Sequence, residues 1–497
     1  ENARFWVSVV CDKRTEREVF LPHFKDCIDA GAASVMTAYN QYLGIYCGHH
    51  SYLINEILKN EWGFDGFVIS DFNYGIRETV AAANAGMDVE MANTNWFGKK
   101  LLDAVNTKQV NQERIQDAAL RIVQTLISVS EFGKDLHYSS SILACEEHLE
   151  LALEAAEKSI TLLKNDKNIL PLSKQKIRRI AIVGSLGDQP NTGDYGSSRV
   201  YPPYVVTLFD GIANLNCCEV LYTDGSDIES AKELARTVDA VVLAVGYNQD
   251  DEGEYVPIND VGLFTVDDNI ENLTEKFSNS KGGDRTKSLS LHTADVELIR
   301  QVSQHSHRSI VVMFGGNMIL MEEWKDIPNA IFMAYYPGME GGTALAKIIF
   351  GDVNPSGKLP FVQVEDENHL PKVDWNARIQ NYEYFHGYTK LEKEGIKPAL
   401  PFGFGLSYTR YLYSKANFFA DDCNVYASSE VENIGGMEGE EVVQFYVGFD
   451  NSKIDRPHKV LRGFQHVHLQ PKEKKKVLIS CPLEKLFCNN EEKSVYE

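Results

Sequence analysis

The sequence predicts a multidomain protein of the α/β class that ends in a β-sandwich, and three observations support this. Strand-like and helix-like segments alternate over residues 1–132, which is typical of a parallel sheet or barrel. A second alternating region, 158–365, has longer buried strands and predicts a doubly wound α/β domain. Residues 411–497 carry short alternating segments separated by turn signals, as in a sandwich of the fibronectin type III or immunoglobulin kind.

In the first region, buried strands alternate with helices. The predicted strands are 33–39, 67–70 and 87–91, and the predicted helices are 50–59, 75–85, 99–106 and 112–129. A closed (β/α)8 barrel needs eight strands and typically about 250 residues. The residues therefore leave two interpretations, a small open sheet or a chain that begins halfway round a barrel.

The later elements are predicted in the same way. Residues 133–157 are expected to link the first region to the second, and 366–410 to connect the second region to the sandwich. The strands expected in the second region are 177–183, 240–245, 309–314 and 330–335, with helices such as 294–306 between them. The sandwich is expected to hold about six strands, among them 423–431, 440–446 and 475–480, with its final strand missing.

The composition argues against several classes of partner. The chain has 497 residues, a net charge of −22 and a pI of about 5.1. Nucleic acid and anionic membranes need a positive footprint, so neither is expected to bind. No apolar run approaches the ~20 residues of a membrane span. Nine cysteines without a C-x-x-C pair favour a reducing, intracellular compartment, and localisation is otherwise unknown.

The segment 61–72, EWGFDGFVISDF, contains the first candidate catalytic residue. A glycine-bracketed turn leads into the apolar strand FVI, and the strand stops on Ser70 and Asp71. Catalytic residues of parallel α/β barrels lie at the carboxyl ends of the strands, so Asp71 is predicted to be a catalytic carboxylate. The alternative is that Asp71 caps the helix that follows, since Asp is among the best N-cap residues.

An acidic cluster follows the predicted strand 240–245. Its members are Asp250, Asp251, Glu252 and Glu254. Crowded carboxylates raise one another's pKa, and a carboxyl that stays protonated near neutral pH is what a general acid requires. A solvated acidic loop or a calcium site is the alternative. The motif GGDR, 282–285, is expected to close one long active-site loop whose mobile middle is 256–280.

Together these motifs resemble glycoside hydrolase family 3, the β-glucosidase and β-xylosidase family, along essentially the whole chain. WGFDGFVISD at 62–71 is similar to the nucleophile motif of the family, and MTAYN at 36–40 to the strand before it. Further similar segments are NTGD at 191–194, GSS at 196–198, PPYVVT at 202–207, NPSGKLP at 354–360 and PFGFGLSY at 401–408. Each motif alone is a weak signal, whereas the ordered set is specific.

The resemblance implies a role for both candidate acids. Asp71 would be the nucleophile. The acid/base of the family is a Glu on a second-domain loop, often followed by Gly, so Glu252 before Gly253 is predicted to fill that role, with Glu254 as the fallback.

It also implies residues that bind the sugar. Arg4 and Tyr39 match positions that line the sugar site in the family. The residue after the nucleophile is often Trp and is Phe72 here, which keeps an aromatic face but loses the indole N–H. The aglycone preference is therefore expected to differ.

The activity implied by the resemblance is that of a retaining, exo-acting β-glycosidase. It would release a non-reducing terminal β-D-glucosyl residue through a covalent glycosyl-enzyme, with β-xylosidase as the alternative within the family. The substrate would be a small oligosaccharide or an aryl or alkyl β-glycoside. No metal or organic cofactor is expected, and the oligomeric state is left open.

The resemblance further settles the choice between open sheet and partial barrel. Family members carry an Asp, an Arg and a Lys-His pair upstream of the position of Glu1, and those residues bind sugar hydroxyls. The first region is therefore expected to be the C-terminal part of a (β/α)8-type barrel without its N-terminal half. The chain is expected to be a fragment truncated at both ends and inactive by itself.

Two other classes of function fit parts of the sequence. The strand 177–183 with the glycine-containing loop 184–187 suggests a nucleotide-binding oxidoreductase, but the loop lacks the G-x-G-x-x-G spacing. A non-catalytic carbohydrate-binding or scaffold protein is the second alternative, because half of the sugar site would be missing from a fragment.

Overall fold

The first region is an incomplete strand–helix repeat in the computed structural model, which describes residues 3–134, 138–193, 196–254, 282–490 and 495–496. Its strands are β1 (Ser8–Val10), β2 (Ser34–Met36), β3 (Gln41–Tyr42), β4 (Ile45–Tyr46) and β5 (Phe67–Ile69). Strands β2 and β5 run parallel, with Val35 opposite Val68. The predicted strand 87–91 is reduced to a single bridge between Ile69 and Val89.

The principal helices of this region were predicted from the sequence, most of them with different ends, except for Pro22–Asp29, which was not predicted. They are Pro22–Asp29, Tyr52–Glu61, Thr79–Asn84, Lys99–Asn106 and Gln112–Gly133. Thr79–Asn84 starts later than predicted because Glu78 has extended backbone and its carboxylate accepts hydrogen bonds from the amides of Val80 and Ala81. Glu78, and not Asp71, therefore caps this helix.

A buried charged network fixes β5 against its helices. The carboxylate of Asp88 accepts a hydrogen bond from the Val68 amide at 2.8 Å and pairs with Lys59 at 2.9 Å and with Arg114. Burial lowers the pKa of Lys59 to about 8, although Asp88 opposes this shift. A buried charge that loses its partner is strongly destabilising, so Asp88 stays paired. Through its hydrogen bond to Val68, Asp88 fixes β5, the strand that Asp71 follows.

The second domain is built on a six-stranded sheet in the described residues, with the order β6-β11-β10-β9-β7-β8. Its strands are β6 (Thr161–Asn165), β7 (Arg179–Val183), β8 (Glu219–Thr223), β9 (Ala240–Gly246), β10 (Ser309–Phe314) and β11 (Ala330–Tyr335). All neighbours are parallel except β6, which is antiparallel to β11. Strands β6 and β8 were not predicted, since both lie at sheet edges and β8 is partly exposed.

Helices cover both faces of this sheet. They are Glu146–Ser159, Leu208–Asn214, Ile228–Arg236, Thr293–Ser303 and Gly341–Phe350. The short helix Gln249–Glu252 follows the end of β9. Along β9, Val242 belongs to one buried cluster and its neighbours Val241 and Leu243 belong to another. A sheet buried on both faces reads as a continuous apolar run, which confirms the predicted doubly wound domain.

The segment before the sandwich is not a free linker. Strand β12 (Ile379–Asn381) pairs in parallel with β1 of the first region, and the helix Gly387–Glu394 follows it. Likewise, the predicted linker 133–157 contributes Ala156 to the core of the second domain.

The last region is a β-sandwich of two facing sheets. Its strands are β13 (Tyr411–Ala420), β14 (Asn424–Asn433), β15 (Gly439–Val447), β16 (Val460–Leu469) and β17 (Lys474–Pro482). After them, β18 (Asn489–Asn490) and β19 (Val495–Tyr496) pair in a separate two-stranded sheet. The order β13-β14-β17 faces the pair β15-β16, and Val431, Phe445 and Leu469 pack in the core between them. Lys358 pairs with Glu441 at 3.4 Å and thereby joins the sandwich to the second domain.

Two further properties of the chain bear on the sequence predictions. In the part of the chain that the structure describes, no helix has both the length and the apolar character needed to cross a membrane. All nine cysteines are free thiols.

Candidate active site

Asp71 follows β5 directly, and local backbone geometry holds its carboxylate. Its Oδ1 accepts a hydrogen bond from the Phe72 amide at 2.7 Å. The chain then turns back sharply, and a Cβ on Gly75 would lie 2.5 Å from the Asp71 nitrogen. Burial raises the pKa of Asp71, and the charge of Glu254 adds to this, whereas the Phe72 amide, the Tyr39 hydroxyl and Arg4 lower it. The carboxylate is therefore partly desolvated and surrounded by donors.

The residues expected to bind sugar lie around Asp71. The Tyr39 hydroxyl donates a hydrogen bond to the Phe72 carbonyl at 2.9 Å, and its ring packs on Phe5 with centroids 4.9 Å apart. Burial and the nearby charge of Asp71 raise the pKa of Tyr39. The Arg4 guanidinium lies over the Phe5 ring at 4.7 Å, and the ring of Phe72 is 44% exposed. An aromatic face and a cation thus stand beside the carboxylate.

Glu254 of the second domain reaches into this group. Its Oε1 accepts a hydrogen bond from Arg4 Nη2 at 3.0 Å, and its Oε2 accepts one from the Ser197 amide. A Cβ on Gly196 would collide with the Glu254 side chain, so glycine is needed for this approach. Two carboxylates from separate domains, Asp71 and Glu254, therefore share the neighbourhood of one arginine.

Glu252 lies in a different environment. Its Oε2 accepts hydrogen bonds from the Gly316 amide and the Tyr336 hydroxyl, both at 2.6 Å, and its Oε1 is 3.0 Å from Arg285 Nε. These partners all belong to the second domain. This geometry does not favour the prediction of Glu252 as acid/base, because the Glu252 side chain contacts its own domain. Gly253 then leaves the short helix Gln249–Glu252 with extended backbone.

The remaining acids of the cluster have separate partners. Asp251 accepts a hydrogen bond from the Asn248 amide at 3.1 Å and lies 3.1 Å from His292 Nε2. Among the described residues, no three His, Cys, Asp or Glu side chains are grouped so that they could hold a metal ion. The predicted mobile middle of the loop, 256–280, lies outside the described residues.

The end of β9 is fixed where it delivers the acidic segment. Gly246 has a φ of +128°, and a Cβ there would collide with the Phe314 carbonyl. The Gly246 amide donates to Asp295 Oδ2 at 3.1 Å. Burial raises the pKa of Asp295 to about 6 from its ordinary value of 3.8, although the Gly246 amide and His292 oppose the shift.

This shift predicts a pH-dependent stability. Between the unfolded value of 3.8 and the folded value of about 6, the folded state binds the extra proton. The contribution of Asp295 to the free energy of unfolding therefore falls as pH rises through this window. Asp295→Asn, which still accepts from Gly246, is expected to gain about 1–2 kcal/mol over wild type between pH 5 and pH 8.

Urea unfolding at several pH values measures this difference, with the exposed Asp326→Asn as the control. A free-energy difference between Asp295→Asn and wild type that does not change with pH would show that Asp295 titrates normally.

Several residues of the site were not predicted. Gly316 and Tyr336 follow β10 and β11, as Glu252 follows β9. Ligands of α/β sheets bind outside the carboxyl ends of the strands, so this rule could have identified both positions. The amide of Ser197 carries no side-chain signal, and the segment GSS at 196–198 indicated the family but not this contact.

The fold and the candidate site define the class of protein. It is a three-part α/β protein whose two candidate catalytic acids, Asp71 and Glu254, come from different domains. Family models then match three segments, "Glycosyl hydrolase family 3 N terminal domain" at 5–125, "Glycosyl hydrolase family 3 C-terminal domain" at 160–408 and "Fibronectin type III-like domain" at 441–497. The chain belongs to glycosyl hydrolase family 3. The predicted resemblance and the predicted fold class, from partial barrel to fibronectin type III-like sandwich, are confirmed.

Curated relatives agree with this assignment. Thermostable beta-glucosidase B of Acetivibrio thermocellus is 32% identical over 96% of this chain and 62% of its own length. A beta-glucosidase of Bacteroides ovatus is 32% identical over 96% of this chain and 67% of its own length. A beta-xylosidase of Formosa agariphila is 31% identical over 98% of this chain and 69% of its own length. The chain thus spans 62% to 69% of these relatives.

Solved structures give the same result. Beta-D-glucoside glucohydrolase from Trichoderma reesei matches with a TM-score of 0.87 and 26% identity, over 99% of this chain and 73% of its own. Beta-glucosidase 3B from Thermotoga neapolitana, in complex with glucose, matches with a TM-score of 0.83 and 25% identity, over 98% of this chain and 71% of its own.

Proposed function

We propose that the protein containing this chain is a retaining, exo-acting β-glucosidase with Asp71 as nucleophile and Glu254 as acid/base. One observation carries the proposal: the 3.0 Å ion pair of Arg4 with Glu254 brings a second-domain carboxylate to the residues that surround Asp71. This geometry favours Glu254 over Glu252, whose carboxylate is occupied within the second domain. The names of the relatives support glucoside cleavage.

The proposed reaction has two steps. Asp71 attacks the anomeric carbon of the terminal sugar, and Glu254 protonates the departing glycosidic oxygen. A covalent glycosyl-enzyme results, and water activated by Glu254 then attacks it from the face that the aglycone has left. Two displacements at one carbon restore the β configuration, as in other retaining glycosidases, whose carboxyl groups lie about 5–5.5 Å apart.

Arg4, Tyr39 and Phe72 have supporting roles in this proposal. Arg4 and Tyr39 lower the pKa of Asp71, which favours the ionised form that a nucleophile needs. Both polar groups can also hydrogen-bond sugar hydroxyls. Phe72 is exposed, and its ring supplies an apolar face on which the sugar or the aglycone can pack.

A beta-xylosidase is among the similar proteins, so xylose is the second candidate sugar. We also propose that the 497 residues alone turn over substrate poorly. Hydrogen bonds to sugar hydroxyls supply several kcal/mol in such enzymes. The described site offers the sugar one cation and two aromatic side chains, so few of these hydrogen bonds can form.

The test is hydrolysis of p-nitrophenyl β-glucoside and p-nitrophenyl β-xyloside by the complete gene product, with the 497-residue chain assayed alongside. Proton NMR identifies the first-formed anomer. We expect β-glucose as that anomer, a higher kcat/KM for the glucoside, and little turnover by the chain alone. An α anomer would contradict retention, a higher kcat/KM for the xyloside would reassign the sugar, and no hydrolysis of either would refute the proposed function.

A further inference from the structure

Glu252 is held by two hydrogen-bond donors and one ion pair, which come from three separate segments. The Gly316 amide follows β10, the Tyr336 hydroxyl follows β11, and Arg285 belongs to the GGDR motif. The side chain of Glu252 is 11% exposed and that of Arg285 is 9% exposed. Burial and the charge of Glu252 raise the pKa of Tyr336, so the phenol stays protonated and donates. A carboxylate held in this way is poorly placed to reach a sugar that is bound beside Arg4 and Asp71.

Arg285 is itself fixed in place. Its Nη2 donates to the Met318 carbonyl at 2.8 Å, and its guanidinium carbon lies 4.6 Å from the centroid of the Tyr247 ring. Tyr247 directly follows β9, the strand that leads to Glu252. The ion pair of Glu252 with Arg285 is therefore anchored to residues at the carboxyl edge of the sheet.

Backbone hydrogen bonds join the same two stretches. The Gly283 amide donates to the Gly253 carbonyl at 2.8 Å, and the Gly282 amide donates to the Asp250 carbonyl at 2.9 Å. Residues 250–254 and 282–285 thus lie side by side, although they are distant in the sequence. The ion pair of Glu252 with Arg285 joins the same two stretches through their side chains.

Only Gly253 separates Glu252 from Glu254. One residue of extended chain spans about 3.3–3.6 Å, so a fixed Glu252 leaves the backbone of Glu254 little room to move. A Cβ on Gly253 would collide with the Gln249 carbonyl, so only glycine fits between the two acids. The orientation of Glu252 therefore sets where the Glu254 carboxylate can be.

We propose that Glu252 and Arg285 form a clasp that positions Glu254 for proton transfer. Glu252 is a positioning residue in this proposal, which rests on the proposed function because it assigns proton transfer to Glu254. A misplacement of about 1 Å at a reacting group can cost on the order of 100-fold in rate. Loss of the clasp is therefore expected to impair the step that needs the proton.

The experiment compares Glu252→Gln, Arg285→Met, Arg285→Lys and Glu254→Gln in the complete gene product. The substrates are phenyl β-glucoside, whose leaving group needs protonation, and 2,4-dinitrophenyl β-glucoside, whose leaving group does not. Glu323→Gln is the matched control, since it breaks the exposed Glu323–Arg300 pair of the same domain. Thermal unfolding of each variant is recorded alongside.

For Glu252→Gln and Arg285→Met we expect kcat/KM on the phenyl glucoside to fall about 10–100-fold, with formation of the glycosyl-enzyme from the dinitrophenyl glucoside nearly unchanged. Arg285→Lys restores much of the loss. Added azide yields β-glucosyl azide with Glu254→Gln, since azide displaces Asp71 from the glycosyl-enzyme where no base is needed. Azide has little effect with Glu252→Gln, because the Glu254 carboxylate still shields that position.

Other outcomes overturn the clasp. Efficient azide rescue of Glu252→Gln, without rescue of Glu254→Gln, would make Glu252 the acid/base. Equal losses on both substrates, or unchanged kinetics, would leave Glu252 with a structural role only. If wild type hydrolyses neither glucoside, both the proposed function and the clasp are refuted. If wild type and Glu254→Gln behave as expected but Glu252→Gln does not, only the clasp is refuted.

Discussion

Asp71→Ala is expected to lower kcat for aryl β-glucosides by roughly 10⁴-fold or more, because it removes the group that bonds to the sugar. The geometry predicts a specific effect and not a loss of folding. The Asp71 side chain accepts a hydrogen bond from the adjacent Phe72 amide at 2.7 Å, and the turn depends on Gly75 and on backbone atoms. Steady-state kinetics of the complete gene product measure the loss.

Azide makes this prediction diagnostic. In Asp71→Ala, azide can take the space of the carboxylate and attack the anomeric carbon in a single displacement. The product is then the α-glucosyl azide, of inverted configuration. The exposed Asp65 of the preceding turn gives the control Asp65→Ala, which is expected to keep wild-type turnover. Near-normal activity of Asp71→Ala would remove Asp71 from the mechanism.

Glu254→Gln is expected to show the second largest effect. A positioned general acid contributes about 10²–10⁴-fold, so kcat/KM on phenyl β-glucoside should fall by that factor. The activated 2,4-dinitrophenyl glucoside should form the glycosyl-enzyme at nearly the wild-type rate, because its leaving group departs without a proton. Breakdown of that intermediate then limits turnover, and a pre-steady-state burst of dinitrophenolate should appear.

The two variants differ in the anomer that azide produces. Glu254→Gln retains Asp71, so azide enters after the first displacement and gives the β-glucosyl azide. Asp71→Ala gives the α anomer. The same anomer from both variants would show that the two carboxylates do not have the separate roles proposed here.

Much of the architecture follows from the sequence because buried strands are apolar on both faces. Strand β9 was predicted almost to its ends, since its residues alternate between two buried clusters. The edge strand β8 was missed because an edge strand is buried less and its sequence, EVLYT, mixes polar with apolar residues. Burial, not propensity, carries the signal that sequence analysis can use.

The candidate site shows the same limit at finer scale. The position of Asp71 could be predicted because its carboxylate directly follows a buried strand, and its catalytic role stays a prediction. The choice between Glu252 and Glu254 depends on where a single helical turn ends, because Gly253 leaves the helix with extended backbone and the two carboxylates then pair with different arginines. Partners such as Tyr336 come from distant strands, so no local pattern reveals which acid they bind.

The proposed mechanism requires that Asp71 form a covalent bond with the sugar. Incubation of the complete gene product with 2,4-dinitrophenyl 2-deoxy-2-fluoro-β-glucoside slows the hydrolysis of the glycosyl-enzyme and allows it to accumulate. After digestion and mass spectrometry, we expect one fluoroglucosyl group on Asp71 in the peptide that contains FVISDF. A label on any other residue, or dinitrophenolate release with no labelled peptide, would contradict it.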